Sequence, residues 1–249
     1  MALEETKRAG ARTRQLTLAS VFAAVYFILR ALPTFQMLGT SGYFTAGDFF
    51  LTTIALISGP WSGTLAVLVG TIAAYAVRPP IFFGLDFLPA IANVSIAGFL
   101  LSGRWRSAVG MYIVILVAFL ANPYSLLFGY DGVPYTWLHL VALAILLSPI
   151  SRKIPVWIQR LDVWAVVAIA VLAFVGTMAQ HLVGGILYEF TIGYVGGLSP
   201  EHFMSLWRII FWLYPIERII IVAISTVVAL GVYRSFESWS KATHLETAH

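Results

Sequence analysis

The positive charges of this chain avoid its apolar runs, and few kinds of fold produce that separation. Of the 15 Lys and Arg residues, 11 fall in the N-terminal stretch that ends at Arg14, in two polar connections (Arg104 and Arg106; Arg152, Lys153 and Arg160) or near the C-terminus (Arg234 and Lys241). Eight apolar segments alternate with them, at about 16–32, 47–58, 61–77, 87–102, 108–128, 135–151, 162–190 and 207–233. If both termini face the cytosol, all 11 lie on that side, and Arg78 is the one basic residue in the external connections. Membrane proteins concentrate Lys and Arg in cytosolic loops, so this arrangement reads as topology. The fold class expected is all-α, a polytopic integral membrane helical bundle of about 6–8 transmembrane helices. The cell membrane of a prokaryote is the expected location, with N- and C-termini cytosolic.

Composition agrees. Hydrophobic residues make up 60% of the 249 and charged residues 10%, with a mean hydropathy of +0.89. A soluble domain of this size has no means of burying so much apolar surface. The absence of cysteine excludes thiol nucleophiles, CxxC redox chemistry and Cys-ligated metal. The net charge of +4 caps membrane segments and forms no stripe for nucleic acid. The organisation expected is a cytosolic tail over 1–15, one transmembrane domain over 16–234 and a cytosolic tail over 235–249. Residues 16–32 follow four basic residues as a signal peptide would. They are as long as a short span and lack a small-x-small cleavage site, so a retained first helix is expected.

Segment 47–58 is short for a span and could be re-entrant with 61–77. Segments 7 and 8 exceed the bilayer and are expected to tilt or project outward. The external loops carry Phe35, Tyr43, Phe44, Phe82, Phe83, Tyr130 and Tyr135, either interfacial anchors or a lid over a ligand.

The polar groups inside the apolar runs gather toward the outer half. Asp48 stands at the entry to segment 2, where a carboxylate either complements the helix dipole or binds a ligand. Arg30, near the outer end of segment 1, can snorkel or pair with an acid such as Asp48. On segment 7, Thr177, His181, Gly184 and Tyr188 share a face at helical spacing, flanked by Gln180 and Glu189, while Gly184–Gly185 thins the helix. On segment 8, Trp207, Phe211, Tyr214 and Arg218 share a face, an aromatic stripe leading to a guanidinium. A mid-membrane charge costs about 2.5–3.5 kcal/mol on insertion scales, so Arg218 should avoid lipid. Glu217 and Arg218, about 100° apart on a helix, are expected to pair with different partners. His139, Asn122 and Asn93 add polar groups at similar depth, and together these residues suggest a polar, aromatic-lined chamber open outward. Ala19-x-x-x-Ala23 would let another helix approach closely, within the protein or from a partner. Gly59-Pro60-x-x-Gly63 reads as a cytosolic turn that continues into a smooth face of Gly63, Ala66, Gly70 and Ala74.

Ala19-x-x-x-Ala23, a long external loop, Gly47-Asp48, the Gly59-Pro60-x-x-Gly63 turn continuing to Gly70, then Gly98 and Gly103, together resemble the substrate-binding S components of energy-coupling factor (ECF) transporters. Tyr214-Pro215-x-Glu217-Arg218, followed by Arg234, is similar to that family's last helix. The family has six helices, so the middle of this chain departs from it. The resemblance implies that Ala19 and Ala23 dock onto a coupling transmembrane subunit carrying ATPase subunits. It also implies a ligand, usually a vitamin, held near the outer surface. Metal-importing relatives begin Met-His, whereas position 2 here is Ala2, so no metal cargo is expected.

The function expected is a membrane-embedded substrate-capture subunit of an ECF-type importer. It would bind a small water-soluble nutrient, a vitamin or related ring compound, with no chemistry and no cofactor of its own. The expected binding residues are Asp48, His139, His181, Glu189, Trp207, Tyr214, Glu217 and Arg218. The chain has no P-loop, so ATP-driven steps require other subunits. The alternatives are an intramembrane enzyme using His181 and Glu189, against which stands the lack of HExxH or a placeable Ser/His pair, and a stand-alone secondary transporter, which would show internal repeats.

Overall fold

The computed structural model describes residues 2–38 and 42–246. Among them it has eight α-helices and one small hairpin: α1 Ala2–Ala31, β1 Pro33–Gln36, β2 Tyr43–Thr45, α2 Leu51–Ala74, α3 Leu88–Leu101, α4 Trp105–Leu120, α5 Trp137–Leu147, α6 Ile150–Gln159, α7 Val163–Tyr188 and α8 Pro200–Glu246. The all-α class is therefore as the sequence implied. The strands pair antiparallel, Pro33 with Thr45 and Gln36 with Tyr43, in the connection between α1 and α2.

The outside of the bundle is apolar. On α1, Ala19, Phe22, Ala23 and Tyr26 recur at helical spacing and are buried, while Leu16, Val21 and Ile28 on the other face are exposed. Val114 and Val117 of α4 and Ile209, Trp212, Ile216, Ile219 and Val227 of α8 are exposed as well. A girdle of this extent is unfavourable in water and suits lipid. Among the described residues four helices are long and apolar enough to cross a membrane: Arg12–Ala31, Leu51–Ala74, Val163–Val195 and Pro200–Ser238. The pair α5 and α6, bent by 72°, would make a fifth if counted as one span.

Leu51–Ala74 passes that test by length and composition, yet it doubles back. Gly59 takes φ 69° inside it, a left-handed conformation that glycine adopts without steric cost. A Cβ on Gly63 would lie 3.3 Å from Ile54 Cγ2 and 3.6 Å from the Ile54 carbonyl oxygen. Nine residues of straight helix would separate those positions by about 13.5 Å. The limbs 51–58 and 60–74 are therefore folded against each other, and Pro60 starts the second. α3 seals this turn, because Gly98 lies so close to Pro60 that a Cβ would meet its Cα at 2.6 Å. α3 itself is central, with 92–98 buried without interruption, and it packs against α2 and α7.

Several sequence-level boundaries move. Segment 108–128 is helical over Trp105–Leu120, and the chain beyond turns back through a hydrogen bond from the Ser125 hydroxyl to the Phe119 carbonyl, 2.6 Å. The polar connection 151–161 is largely the helix α6, which buries Ser151, Ile154 and Ile158 against the bundle and exposes Arg152 and Lys153, with Arg160 exposed just past its end. Polar residues at those positions hid an amphipathic period. The stretches 1–15 and 235–249 are helical where described, since α1 begins at Ala2 and α8 continues to Glu246 without a break. Residue 1 and residues 247–249 lie outside the described residues, as do 39–41.

The expected docking pair Ala19 and Ala23 is also corrected. Both side chains are buried within the chain. A Cβ on Gly70 would stand 2.7 Å from the Ala23 carbonyl oxygen and 3.2 Å from the Phe27 nitrogen. Small residues on both helices have brought the α1 and α2 backbones together, so this surface is consumed by internal packing.

Candidate binding site

At the hairpin end of the bundle a cavity of about 130 Å³ lies under β2, between α1, the start of α3, the end of α7 and the first half of α8. It abuts a wider cleft of about 620 Å³ toward the connection 75–86. Arg30, Tyr43, Ile81 and Asp86 line both.

Asp48 is placed by the single 3-10 turn Ala46–Phe49, which curls its carboxylate back to accept the Thr45 N–H at 2.7 Å. The Gln180 amide donates to the other carboxylate oxygen at 2.6 Å, and Asn93 donates to Gln180 at 2.9 Å. This chain joins the entry of α2, the middle of α7 and α3. It needs Gly176, where a Cβ would sit 2.5 Å from Asn93 Oδ1. Asp48 thus does structural duty and faces the cavity as well.

Arg218 is 2% exposed. Its guanidinium carbon lies 4.6 Å from the centre of the Phe44 ring, and Nη2 meets Glu217 Oε2 at 3.3 Å. The expectation that Glu217 and Arg218 pair elsewhere is therefore corrected. Both long stems bend toward the polar cavity, because exposed apolar side chains such as Ile209, Trp212, Ile216 and Ile219 occupy the rest of the helix exterior. Trp207 lines the cavity with its edge toward Tyr188, and its indole N–H donates to the Tyr124 carbonyl at 2.9 Å. His181 lines the cavity, and its Nδ1 lies 3.0 Å from His139 Nε2.

Three expected binding residues sit elsewhere. His139 lies behind His181 and is absent from the cavity wall. Tyr214 stacks on both imidazoles with its hydroxyl donating to the Tyr135 carbonyl at 2.8 Å, so it supports His181 and cannot stack on a ligand there. Glu189 is fully buried away from the cavity, with the Ser125 hydroxyl 2.7 Å from its Oε1; it ties the 121–129 connection to the π-helical end of α7, Glu189–Val195. Helical spacing put these side chains on plausible faces, but depth around the bundle decided which reached the cavity.

Other lining residues escaped the sequence reading. Tyr26 and Leu38 line the cavity, and the Tyr188 hydroxyl donates to the Leu38 carbonyl at 3.0 Å, fastening the hairpin connection to α7. Asp86 accepts the backbone N–H groups of Ile81 and Phe82 at 2.9 and 3.1 Å, closing the loop after Pro79-Pro80. That proline pair with an acid beyond it was the available signal. Tyr75 donates to the Gly84 carbonyl at 2.9 Å.

The arrangement supplies guanidinium groups, a carboxylate–amide chain and flat rings around a mostly apolar cavity, a set suited to holding a small molecule. Among the described residues no group of three or more His, Cys, Asp or Glu could hold a metal ion.

No family model matches the chain, and no solved structure matches it. The chain is similar to the uncharacterized protein MJ0923 of Methanocaldococcus jannaschii, 31% identical over 185 residues, covering 71% of this chain. It spans 59% of that relative's length.

Proposed function

We propose that this protein is the substrate-capture subunit of an ECF-type importer, embedded in the cell membrane with both termini cytosolic. It binds a small water-soluble nutrient from outside and works with a coupling transmembrane subunit and ATPase subunits. The observation that carries this reading is the cavity at the hairpin end, opposite Arg104, Arg106, Arg152, Lys153 and Arg160. With those basic residues cytosolic, the cavity opens outward. α2 enters and leaves by that same outer end. Ala19 and Ala23 are engaged internally, so docking to the coupling subunit uses other residues.

The test is ligand binding by the purified protein in detergent, followed through its eight tryptophans, Trp207 among them. Vitamins, nucleobases and amino acids are titrated singly. Saturable nanomolar quenching by one compound, weakened by His181→Ala, supports capture. Silence across the panel counts against it. The His139–His181 pair is the one observation favouring an intramembrane enzyme, in which His181→Ala would abolish turnover instead of weakening affinity.

A further inference from the structure

We infer that the cargo is an anion: a small compound with a planar, mostly apolar body and one carboxylate, which docks on Arg218. This rests on the capture reading above and adds to it the charge of the ligand.

The two cavities hold three arginines, Arg30, Arg78 and Arg218, and three acids, Asp48, Asp86 and Glu217. Formal charge balances, but every oxygen of Asp48 and Asp86 is engaged by a protein donor while two guanidinium nitrogens are not. Each oxygen of Asp48 already accepts a donor, from Thr45 and from Gln180. Each oxygen of Asp86 accepts a backbone N–H. The cations retain unused donors. Arg218 Nε is buried with no hydrogen-bond partner, and so is Arg78 Nη1 in the outer cleft. Arg30 stands between them, lining both cavities. Buried guanidinium nitrogens without partners thus stand at both the cleft and the inner cavity, alongside two unpartnered hydroxyls, Thr191 and Tyr26, that can donate or accept.

Arg218 is also the group whose ionic partner is easiest to replace. Its contact with Glu217 is a single one, at 3.3 Å, beyond the roughly 2.7–2.9 Å of a strong charge-assisted bond. Glu217's side chain is 17% exposed against 2% for Arg218, so it can swing aside while the guanidinium stays. A ligand carboxylate can take that place and present two oxygens to the planar fork, a geometry that guanidinium and carboxylate share. The remaining wall fits a flat body. A Cβ on Gly184 would meet nothing within 4 Å, which leaves open space beside α7, and Phe82, Tyr188 and Trp207 border it.

Isothermal titration of the full-length protein in detergent with matched acids and amides tests the inference: nicotinate with nicotinamide, benzoate with benzamide, and 2-naphthoate with 2-naphthamide. The expected result is at least one pair in which the acid binds tenfold or more tightly. Arg218→Gln should bring that ratio near one, with Arg218→Lys intermediate. Glu217→Gln should widen it severalfold by removing the competing carboxylate, a gain that a damaged fold would not produce. Equal or tighter binding of the amides overturns the anionic assignment and leaves capture standing. A Glu217→Gln ratio at or below the parent's overturns it too. Failure of every acid and amide to bind also overturns it, and if the vitamin, nucleobase and amino-acid panel is silent as well, capture falls with it.

Discussion

Replacing Asp48 with alanine removes the acceptor for two short hydrogen bonds, from the Thr45 N–H at 2.7 Å and the Gln180 amide at 2.6 Å, and for a longer one from the Thr45 hydroxyl at 3.3 Å that adds little. Hydrogen bonds to a charged group contribute about 1.5–3 kcal/mol each, which sets a ceiling of about 6 kcal/mol. Asp48 borders the cavity, so water entering there recovers part of the loss, and about 3 kcal/mol is expected. For a chain of this length 1 kcal/mol corresponds to about 2–4 °C in Tm, so thermal melts in detergent, read by tryptophan fluorescence, should fall by about 6–12 °C. Asp48→Asn keeps one acceptor oxygen and should lose about half as much. The double variant Asp48→Ala/Gln180→Ala should lose less than the two singles summed, by about 1–2 kcal/mol, because each single change already breaks the one bond they share and strands the other residue. A Tm shift below about 2 °C for Asp48→Ala, or additivity within about 0.5 kcal/mol, would refute the Asp48–Gln180 link as a joint between α2 and α7.

Adjacent glycines on α7 should behave oppositely. Gly184→Ala meets open space and improves helix propensity, so stability should hold or rise by up to about 1 kcal/mol, whereas Gly185→Ala meets the Phe119 ring at 2.9 Å and should cost about 1–3 kcal/mol; matched melts decide. Gly184→Phe should fold and lose ligand binding, and retained affinity would show that the cavity beside α7 is not the binding site. Ser125→Ala leaves the fully buried Glu189 without its hydrogen-bond partner and should lower stability by about 1–3 kcal/mol, a loss that a further Glu189→Leu change relieves in the same melts. Because the chain has no cysteine, single cysteines report sidedness cleanly. In sealed right-side-out vesicles, Asp131→Cys should react with an impermeant maleimide and Ser102→Cys only after permeabilisation, and the reverse pattern would invert the proposed orientation.

That the long apolar segments are helical, and that the bundle wears an apolar exterior, could be read from the residues alone, whereas the amphipathic α6 could not. Length and hydropathy are local quantities, and Gly59-Pro60 carries its turn in two side-chain-poor residues whose backbone preferences need no neighbours. The stripe Trp207, Phe211, Tyr214 and Arg218 was legible for the same reason, since one helix's periodicity places all four on a buried face. Asp48, His181, Trp207, Glu217 and Arg218 were each legible as polar or aromatic groups in apolar runs, and all five line the cavity.

Their partners were not legible. Nothing in the order of residues says that Gln180 meets Asp48 across 132 positions, that Ala23 is taken up by Gly70, or that Glu189 turns toward Ser125 and away from the cavity. Periodicity gives the direction of a side chain around its own helix. Which helix stands opposite, and at what depth, depends on how all the helices settle together, and small residues such as Gly70, Gly98 and Gly176 settle it by permitting approaches that any larger side chain would prevent. The sequence alone therefore determined an apolar helical chain with its charges sorted toward the ends of its segments. Tertiary packing alone decided which of its polar groups hold the bundle together and which face an open cavity.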